Sequence, residues 1–232
     1  MQFPHILIIN LKHRIDRWVS ITEQLNRENL PYERVEAIQR KEGWKGCSLS
    51  HKKAVEIAHQ RKYPWVLVLE DDCLLIEGWK KRFEELLPIL WERRNEWEVF
   101  SGGSIVVHRA CKLQEKPPLF QITGWSAHFI LIHEKTYQRI LHYRLSVAID
   151  DAYKRHYRMW CTYPHLAIQT GGWSNNRQHT DPPSKFRRQF NRQNRRLRLL
   201  KTKCVKTIHR RRANMEQLHK KTRKIHKRRR SE

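Results

Sequence analysis

The chain has 232 residues, which is enough for one domain with a sizeable hydrophobic core and a shorter appendage. Hydrophobic residues make up 39% of it, but no uninterrupted apolar run reaches the length of about 18 residues that a membrane-spanning helix needs. We therefore expect no transmembrane helix. The formal net charge of +25 at pH 7 predicts affinity for anionic partners.

The positive charge is concentrated at one end of the chain. Residues 185–232 contain 21 of the 48 lysines and arginines but only two of the 23 acidic residues. Residues 1–184 are then close to an ordinary charge balance. The sequence therefore predicts a folded domain over residues 1–184 and a strongly basic tail over residues 185–232.

The five cysteines are odd in number and widely spaced, and no two of them lie at Cys-x-x-Cys spacing. This pattern favours neither a zinc site nor a disulfide framework. We therefore expect a reducing, cytoplasmic location, peripheral to a membrane surface if the tail binds one.

Short apolar runs alternate with helical patterns along most of the chain, which is typical of an α/β domain. In chain order, the predicted strands are His5–Asn10, Tyr32–Ile38, Trp65–Leu69, Glu98–Phe100 and Phe129–Ile132. The predicted helices are Ile15–Arg27, Ser48–Gln60, Trp79–Arg94 and Glu134–Tyr143. We expect Ser48 to cap its helix and Pro88 to bend or break the next one. After Thr170, glycine and proline pairs predict loops that end the globular part.

The tail has a pattern of its own. Among its lysines and arginines, apolar side chains recur at multiples of seven residues, at Phe190, Leu197, Cys204, Leu218 and Ile225. This spacing predicts a basic, weakly amphipathic segment that is helical or disordered. It would bind nucleic acid through phosphates, or an anionic membrane by inserting apolar residues between Phe186 and Leu200. A solvated or subunit-contacting extension is the third alternative.

Three carboxylates, Glu70-Asp71-Asp72, directly follow the predicted strand Trp65–Leu69. In open α/β sheets, ligands bind outside the carboxyl ends of strands. Adjacent carboxylates repel one another unless a cation neutralises them, and their oxygens suit Mg²⁺ or Mn²⁺. The triplet therefore fits a metal site for a nucleotide diphosphate, or alternatively a solvated acidic turn.

Several motifs surround this triplet in a fixed order. They are Ile-Ile-Asn-Leu-Lys-His-Arg-Ile-Asp-Arg (8–17), Gly-Cys-Ser-Leu-Ser-His (46–51), Val-Leu-Val-Leu-Glu-Asp-Asp (66–72), Thr-Gly-Trp-Ser-Ala-His-Phe-Ile-Leu-Ile (123–132), Ala-Ile-Asp-Asp (148–151) and, more loosely, Tyr-Pro-His-Leu-Ala-Ile-Gln (163–169). Together they resemble glycosyltransferase family 25, which includes lipooligosaccharide galactosyltransferases and collagen galactosyltransferase domains. The resemblance covers roughly residues 5–176 and leaves the tail unmatched.

The resemblance implies a GT-A fold, in which a Rossmann-like domain with a mixed central sheet binds a nucleotide sugar. A DxD-type motif in that fold holds Mn²⁺ or Mg²⁺ on the diphosphate of the donor. Here the motif reads Glu70-Asp71-Asp72, so Asp72 is the implied direct metal ligand. Glu70 and Asp71 would contact the metal, its water, or the sugar and ribose of the donor.

Residues of two other motifs complete the implied donor pocket. Asn10, Arg14 and Arg17 would line the nucleotide, with an arginine near the base or a phosphate. The two arginines could instead be ordinary solvated helix residues. Ser50 would donate a hydrogen bond to the donor and His51 would touch a phosphate, unless both belong to a structural helix-cap network.

Asp150 and Asp151 are the candidates for a general base, because an inverting transfer needs a carboxylate to accept the proton of the acceptor hydroxyl. Two adjacent carboxylates tend to raise one pKa, which suits a base. Alternatively, one or both cap a helix that begins near Ala152. His179 lies where some GT-A enzymes place a further metal ligand, although it could be a solvated loop residue.

Together with the resemblance, the sequence predicts a metal-dependent glycosyltransferase, and the resemblance favours an inverting one. It would move a hexose, either galactose or glucose, from a UDP-hexose to a hydroxyl on a glycan, a lipid-linked saccharide or a protein. The alternatives are a DNA-modifying glycosyltransferase, an inactive transferase, and a non-catalytic nucleic-acid-binding protein with a GT-A-like scaffold.

Overall fold

The computed structural model describes residues 2–125, 127–174 and 179–200, except for the side chains of residues 172–174 and 179. Its strands are β1 (His5–Asn10), β2 (Tyr32–Glu36), β3 (Trp65–Glu70), β4 (Cys73–Leu75), β5 (Val99–Ser101), β6 (Val106–Gln114), β7 (Leu119–Trp125), β8 (Phe129–His133), β9 (Met159–Thr162), β10 (Ala167–Gln169), β11 (Gly172–Ser174) and β12 (His179–Asp181). Its helices are α1 (Ile15–Asn26), α2 (Gly43–Gln60), α3 (Trp79–Glu92), a short 3-10 helix (Glu134–Thr136), α4 (Tyr137–Leu141), α5 (Ile149–His156) and α6 (Pro183–Leu199).

Eight strands form one mixed sheet in the order β2-β1-β3-β8-β5-β9-β7-β6. Strand β1 lies parallel to β2 and β3, whereas β8 is antiparallel to β3 and β5. Strand β9 is parallel to β5, and the hairpin of β6 and β7 completes the far edge. The predicted α/β class with a mixed central sheet is therefore confirmed.

Helices cover both faces of this sheet because its central strands are apolar on both sides. In β1, Ile6 and Ile8 belong to a buried cluster with residues of α1 and α3. Leu7 and Ile9 belong to a second cluster, with residues of α2, α4 and α5. A strand buried on both faces reads as a continuous apolar run, which is why β1 and β3 could be predicted closely.

Two helices differ from the prediction. Helix α2 begins at Gly43 rather than at Ser48. Ser48 therefore lies inside the helix, where it is buried, and its hydroxyl donates to the carbonyl of Trp44 (2.8 Å) instead of capping the helix. Helix α3 continues through Pro88, which is exposed. On that side of a helix, water can satisfy the carbonyl that a proline leaves without a donor.

Several later elements were not predicted. Strands β11 and β12 pair with each other where only loops were expected, and β10 pairs with β4 in a separate ribbon. Helix α5 begins at Ile149 rather than near Ala152. The pairing of β10 with β4 places Gln169 opposite Cys73, next to the acidic triplet.

Helix α6 crosses the predicted domain boundary after residue 184. It packs against β6 and β10, and its residues Phe186, Gln193 and Leu197 are buried. The compact unit that contains the sheet accordingly extends through α6. The rest of the predicted tail, residues 201–232, lies outside the described residues.

Two observations bear on the expected location. None of the helices in the described ranges combines the length and the apolar content needed to cross a membrane. Cys47, Cys73 and Cys161 are free thiols, but Cys111 is disulfide-bonded, which the cysteine spacing did not predict. Because disulfides are more usual in oxidising compartments, the cytoplasmic location stays a prediction.

Candidate functional site

A pocket of about 890 Å³ lies at the carboxyl ends of β1 and β3. The parallel register pairs Ile9 with Glu70, and the backbone N–H of Asp71 donates to the carbonyl of Ile9 (3.1 Å). The sequence-predicted site residues that line this pocket are Arg14, Arg17, Ser50, Glu70, Asp71, Asp72 and Asp150. Side chains from four separate motifs therefore meet where an open α/β sheet is expected to bind a ligand.

Asp71 is held by two residues of the first motif. Arg17 donates from Nη1 to Oδ1 of Asp71 (3.0 Å), and Asn10 donates from Nδ2 to Oδ2 (2.6 Å). Burial raises the pKa of Asp71, although the charge of Arg17 and the hydrogen bond from Asn10 act against this shift. The Arg17 side chain is only 16% exposed, so it is not an ordinary solvated helix residue. Asn10 is buried and supports the pocket wall without lining it.

Asp72 is the most buried residue of the triplet. Its Oδ2 accepts hydrogen bonds from Gln169 (2.8 Å) and, at longer range, from Arg17 (3.4 Å). Its Oδ1 is buried and has no hydrogen-bond partner among the described residues. Burial, together with the charge of Glu70, raises the pKa of Asp72 to about 7. A buried carboxylate oxygen without a partner is costly, and a divalent cation would supply the missing interaction, so Asp72 fits a metal ligand.

Glu70 belongs to a second group of potential ligands. His51, which is fully buried, contacts Oε1 of Glu70 through Nε2 (3.1 Å), and the thiol of Cys47 donates to the same oxygen (3.4 Å). The potential ligand atoms of these three residues lie within 4.8 Å of one another. These three residues therefore form a second candidate metal site. Thiolate and imidazole ligands favour softer ions, so this site would suit an ion such as Zn²⁺.

The charges within this second group follow from its burial. Burial alone would raise the pKa of Glu70, but the hydrogen bond and the charge of His51 outweigh it and lower the pKa. Burial and the nearby charge of Glu70 raise the pKa of the Cys47 thiol well above its ordinary value. His51 does not line the pocket, so it reaches the site through Glu70. Cys47 was part of a recognised motif but was not predicted as a ligand.

Arg14 and Ser50 line the pocket, but each is also engaged within the protein. Arg14 is 17% exposed in its side chain and donates from Nε and Nη2 to the carboxylate of Asp16 (2.9 and 2.7 Å). Ser50 donates its hydroxyl to the carbonyl of Gly46 (2.7 Å) and accepts the backbone N–H of Ile38 (2.8 Å). Ser50 therefore joins α2 to the segment after β2, and its hydroxyl proton is already engaged.

The two acidic residues at the start of α5 have different surroundings. Asp150 lines the pocket, and burial raises its pKa, with the charge of Glu70 acting in the same direction. Asp151 instead accepts a hydrogen bond from Nε1 of Trp125 (2.9 Å) and pairs with Lys154 (2.7 Å). Burial alone would raise the pKa of Asp151, but Lys154 and Trp125 outweigh it and lower the pKa.

Two basic residues that were not predicted also line the pocket. Arg40 and Lys41 lie in the exposed segment between β2 and α2. Their positive charge suits phosphate groups. They belong to none of the quoted motifs, so only their charge could have pointed to them in the sequence.

Two further lining residues come from recognised motifs. Gln169 ends β10 and donates to Asp72. His128 is buried, and burial lowers its pKa to about 4, so its imidazole is neutral at physiological pH. His179 begins β12, but its side chain lies outside the described part of the chain, so its role as a metal ligand stays a prediction.

No protein-family model matches the chain, and no curated protein matches it. The solved structures that resemble it include a glycosyltransferase involved in the glycosylation of the major capsid of PBCV-1. That structure is 12% identical, with a TM-score of 0.37 over 59% of this chain and 64% of that one. This chain therefore spans slightly less than two thirds of that structure.

Another similar structure is HddC from Yersinia pseudotuberculosis. It is 10% identical, with a TM-score of 0.37 over 82% of this chain and 99% of that one. Likeness at this level assigns neither a family nor an activity. The GT-A type and membership of family 25 therefore stay predictions.

Proposed function

We propose that this protein is a metal-dependent glycosyltransferase that moves a hexose from a nucleoside diphosphate sugar to a hydroxyl acceptor. The observation that carries the proposal is the buried carboxylate of Asp72 in a pocket that also contains basic side chains. A candidate cation ligand beside basic groups suits a diphosphate, because negative charge develops on this leaving group as the sugar departs. The motif resemblance to family 25 supports the same activity.

The dimensions and lining of the pocket suit a nucleotide sugar. Its volume of about 890 Å³ falls within the range of about 300–1,000 Å³ that is usual for small-molecule sites. Arg14 and Arg17 supply positive charge for the two phosphates, and Arg40 and Lys41 add to it. Trp44 offers an aromatic face for the base or the sugar ring. The proposed donor is a UDP-hexose, either UDP-galactose or UDP-glucose.

In this proposal Asp72 holds the divalent cation, and Asp71 and Glu70 lie next to it in the chain. When bound, Mn²⁺ or Mg²⁺ would offset the negative charge that develops on the diphosphate. Arg17 bonds to both Asp71 and Asp72 and so limits the repulsion between them. A phosphate in the pocket would offer this guanidinium a third anionic partner. His179 remains a proposed further ligand.

Asp150 is the proposed general base. The acceptor oxygen attacks the anomeric carbon while the bond from that carbon to the diphosphate oxygen breaks, and the hydroxyl proton passes to the carboxylate of Asp150. Its raised pKa favours this proton transfer, and a single in-line displacement inverts the anomeric configuration. Asp151, which is paired with Lys154, is proposed to orient the start of α5. The acceptor is a hydroxyl on a glycan, a lipid-linked saccharide or a protein.

A donor screen with the full chain tests this function. We expect UDP-galactose or UDP-glucose to raise the melting temperature in Mn²⁺ but not in EDTA, and UDP to be released slowly by hydrolysis. Asp72→Asn should abolish both effects because it removes the charged ligand. Glu56→Gln is the control, since Glu56 is an exposed residue of α2 that does not line the pocket.

A further variant locates the cation. If Cys47→Ser rather than Asp72→Asn removes the metal-dependent shift, the cation is held by Cys47, His51 and Glu70, and the assignment to Asp72 is wrong. If no nucleotide sugar binds the folded protein, the transferase proposal is overturned. Binding of duplex DNA under those conditions would favour the non-catalytic alternative.

A further inference from the structure

Helix α6 is fixed to the domain by one of its sides. The buried residues on this side are Phe186, Gln193 and Leu197. Gln193 accepts the backbone N–H of Val107 through Oε1 (3.2 Å), and Arg196 donates from Nη2 to the carbonyl of His108 (2.8 Å). The helix is therefore docked on β6 through both apolar packing and hydrogen bonds.

The other side of α6 is strongly basic. Its exposed arginines, which we call the arginine face, are Arg187, Arg188, Arg192, Arg195 and Arg198. None of these five forms an ion pair or a side-chain hydrogen bond within the described ranges. Residues 185–200 contain no acidic side chain that could neutralise them.

The spacing of these arginines concentrates their charge. At a rise of about 1.5 Å per residue, the face extends over about 17 Å. Arg188, Arg192 and Arg195 follow one another at intervals of four and three residues, so they lie along one stripe of the helix. Like charges at these intervals destabilise a helix, and an anionic partner would remove this repulsion.

We propose that the arginine face binds the phosphate backbone of nucleic acid. The charged side chains of this face are all arginines, and a guanidinium group can form two parallel hydrogen bonds with phosphate oxygens. Neutralising phosphates also releases condensed counterions, which drives binding without regard to base sequence. The proposal does not depend on glycosyl transfer, because none of the five arginines lines the pocket.

An anionic membrane is the competing partner, and the orientation of α6 argues against it. Phe186 and Leu197 are buried against the domain, and the ring of Phe190 lies beside that of His165 at 6.2 Å. Leu199 is the one large apolar residue of α6 that is exposed, at 62%, in the part of the chain that the structure describes. An interfacial helix needs a continuous apolar side that can enter the lipid. The outward side of α6 offers charge instead.

The test is a titration of the full chain into fluorescently labelled duplex DNA at a series of salt concentrations. We expect the triple variant Arg188→Gln, Arg192→Gln, Arg195→Gln to bind about tenfold or more weakly at low salt. Loss of three phosphate contacts should also make the slope of log affinity against log salt shallower by about 2.7. Hydrolysis of the sugar donor should not change.

A matched control removes the same charge elsewhere. Lys62→Gln, Lys81→Gln, Arg144→Gln changes three exposed basic residues outside α6 and should keep most of the affinity and the slope. The wild type and both triple variants contain residues 201–232, so any contribution of these residues to DNA binding is the same in all three. The proposal is overturned if both triple variants lose affinity equally. It is also overturned if the α6 variant binds DNA as tightly as the wild type does. Loss of its retention on phosphatidylcholine–phosphatidylglycerol vesicles would then identify a membrane as the partner.

Discussion

The carboxylates of this site differ in their neighbours more than in their chemistry. Glu70 bonds with His51 and Cys47, whereas Asp72 keeps one buried oxygen without a partner among the described residues. The same contrast separates Asp150, which lines the pocket, from Asp151, which is paired with Lys154. Roles within each run of carboxylates therefore follow from contacts made by distant parts of the chain.

The contrast at the start of α5 gives a direct test of the base. We expect Asp150→Asn to lower the rate of sugar transfer by about 10²-fold or more, which is a typical contribution of a general base. Asp151→Asn should keep most of the rate, because Asp151 is engaged with Trp125 and Lys154. Donor binding, measured by thermal shift, should survive in both variants. A larger loss in Asp151→Asn than in Asp150→Asn would contradict the assignment.

Asp72 should make the stability of the metal-free protein depend on pH. Its pKa rises from 3.8 to about 7 on folding, so between these values the folded state binds a proton that the unfolded chain has released. Stability contributed at Asp72 therefore falls as the pH rises through this window and is constant above it. Asp72→Asn removes the free-energy cost of ionising the Asp72 carboxyl in the folded protein, which is about 1.4 kcal/mol for each unit by which its pKa is raised.

Urea unfolding in EDTA measures this effect. We expect the free energy of unfolding of Asp72→Asn to exceed that of the wild type by a margin that grows from about pH 4 to about pH 7 and then levels off. Added Mn²⁺ should reverse the order, because only the wild type keeps the charged ligand. A margin that does not change with pH would show that Asp72 ionises normally in the folded protein.

Single positions were predictable from the sequence to different degrees. Asp72, Asp71 and Glu70 were found because three carboxylates directly follow an apolar strand. The partners of these residues could not be found in this way: Gln169 reaches Asp72 only because β10 pairs with β4. The sequence also could not show that Ser50 holds the segment after β2, since that contact depends on where α2 begins.

Among the elements, those buried on both sides were predicted best. Strands β1 and β3 are continuous apolar runs, so their positions followed from the pattern. Strand β6 mixes polar, basic and apolar residues along an edge of the sheet, and its pattern does not distinguish it from a loop. Helix α6 buries only a few residues, and these are separated by many arginines. The side of α6 that packs on the domain could therefore not be predicted from its hydrophobic pattern.

On the scale of the whole molecule, the order of the strands in the sheet could not be predicted from the hydrophobic pattern of the sequence. Strand β8 lies antiparallel between β3 and β5, and this arrangement depends on long-range packing rather than on periodicity. The boundary of the domain raised the same difficulty. A change in charge after residue 184 suggested a separate tail, although the compact unit continues through α6.

Two truncated chains test whether the folded domain ends at residue 184 or continues through α6. A chain that ends at residue 200 keeps α6. With a reductant present, so that the disulfide of Cys111 is open in every chain compared, we expect its melting temperature and its rate of UDP-sugar hydrolysis to stay near those of the full chain. A chain that ends at residue 184 exposes the surfaces of β6 and β10 that α6 covers, and it leaves the backbone N–H of Val107 without its bond to Gln193.

The shorter chain also loses Phe186 from the pocket wall and Leu197 from the core. Burying a side chain of either type contributes about 1.5–3 kcal/mol, so the two together should lower its free energy of unfolding by several kcal/mol, as measured in urea. Weaker retention of the UDP-sugar should accompany this loss, because Phe186 lines the donor pocket. Alternatively, both truncated chains could match the full chain in free energy of unfolding and in rate of donor hydrolysis. In that case α6 contributes nothing to the domain, and the boundary at residue 184 is the correct one.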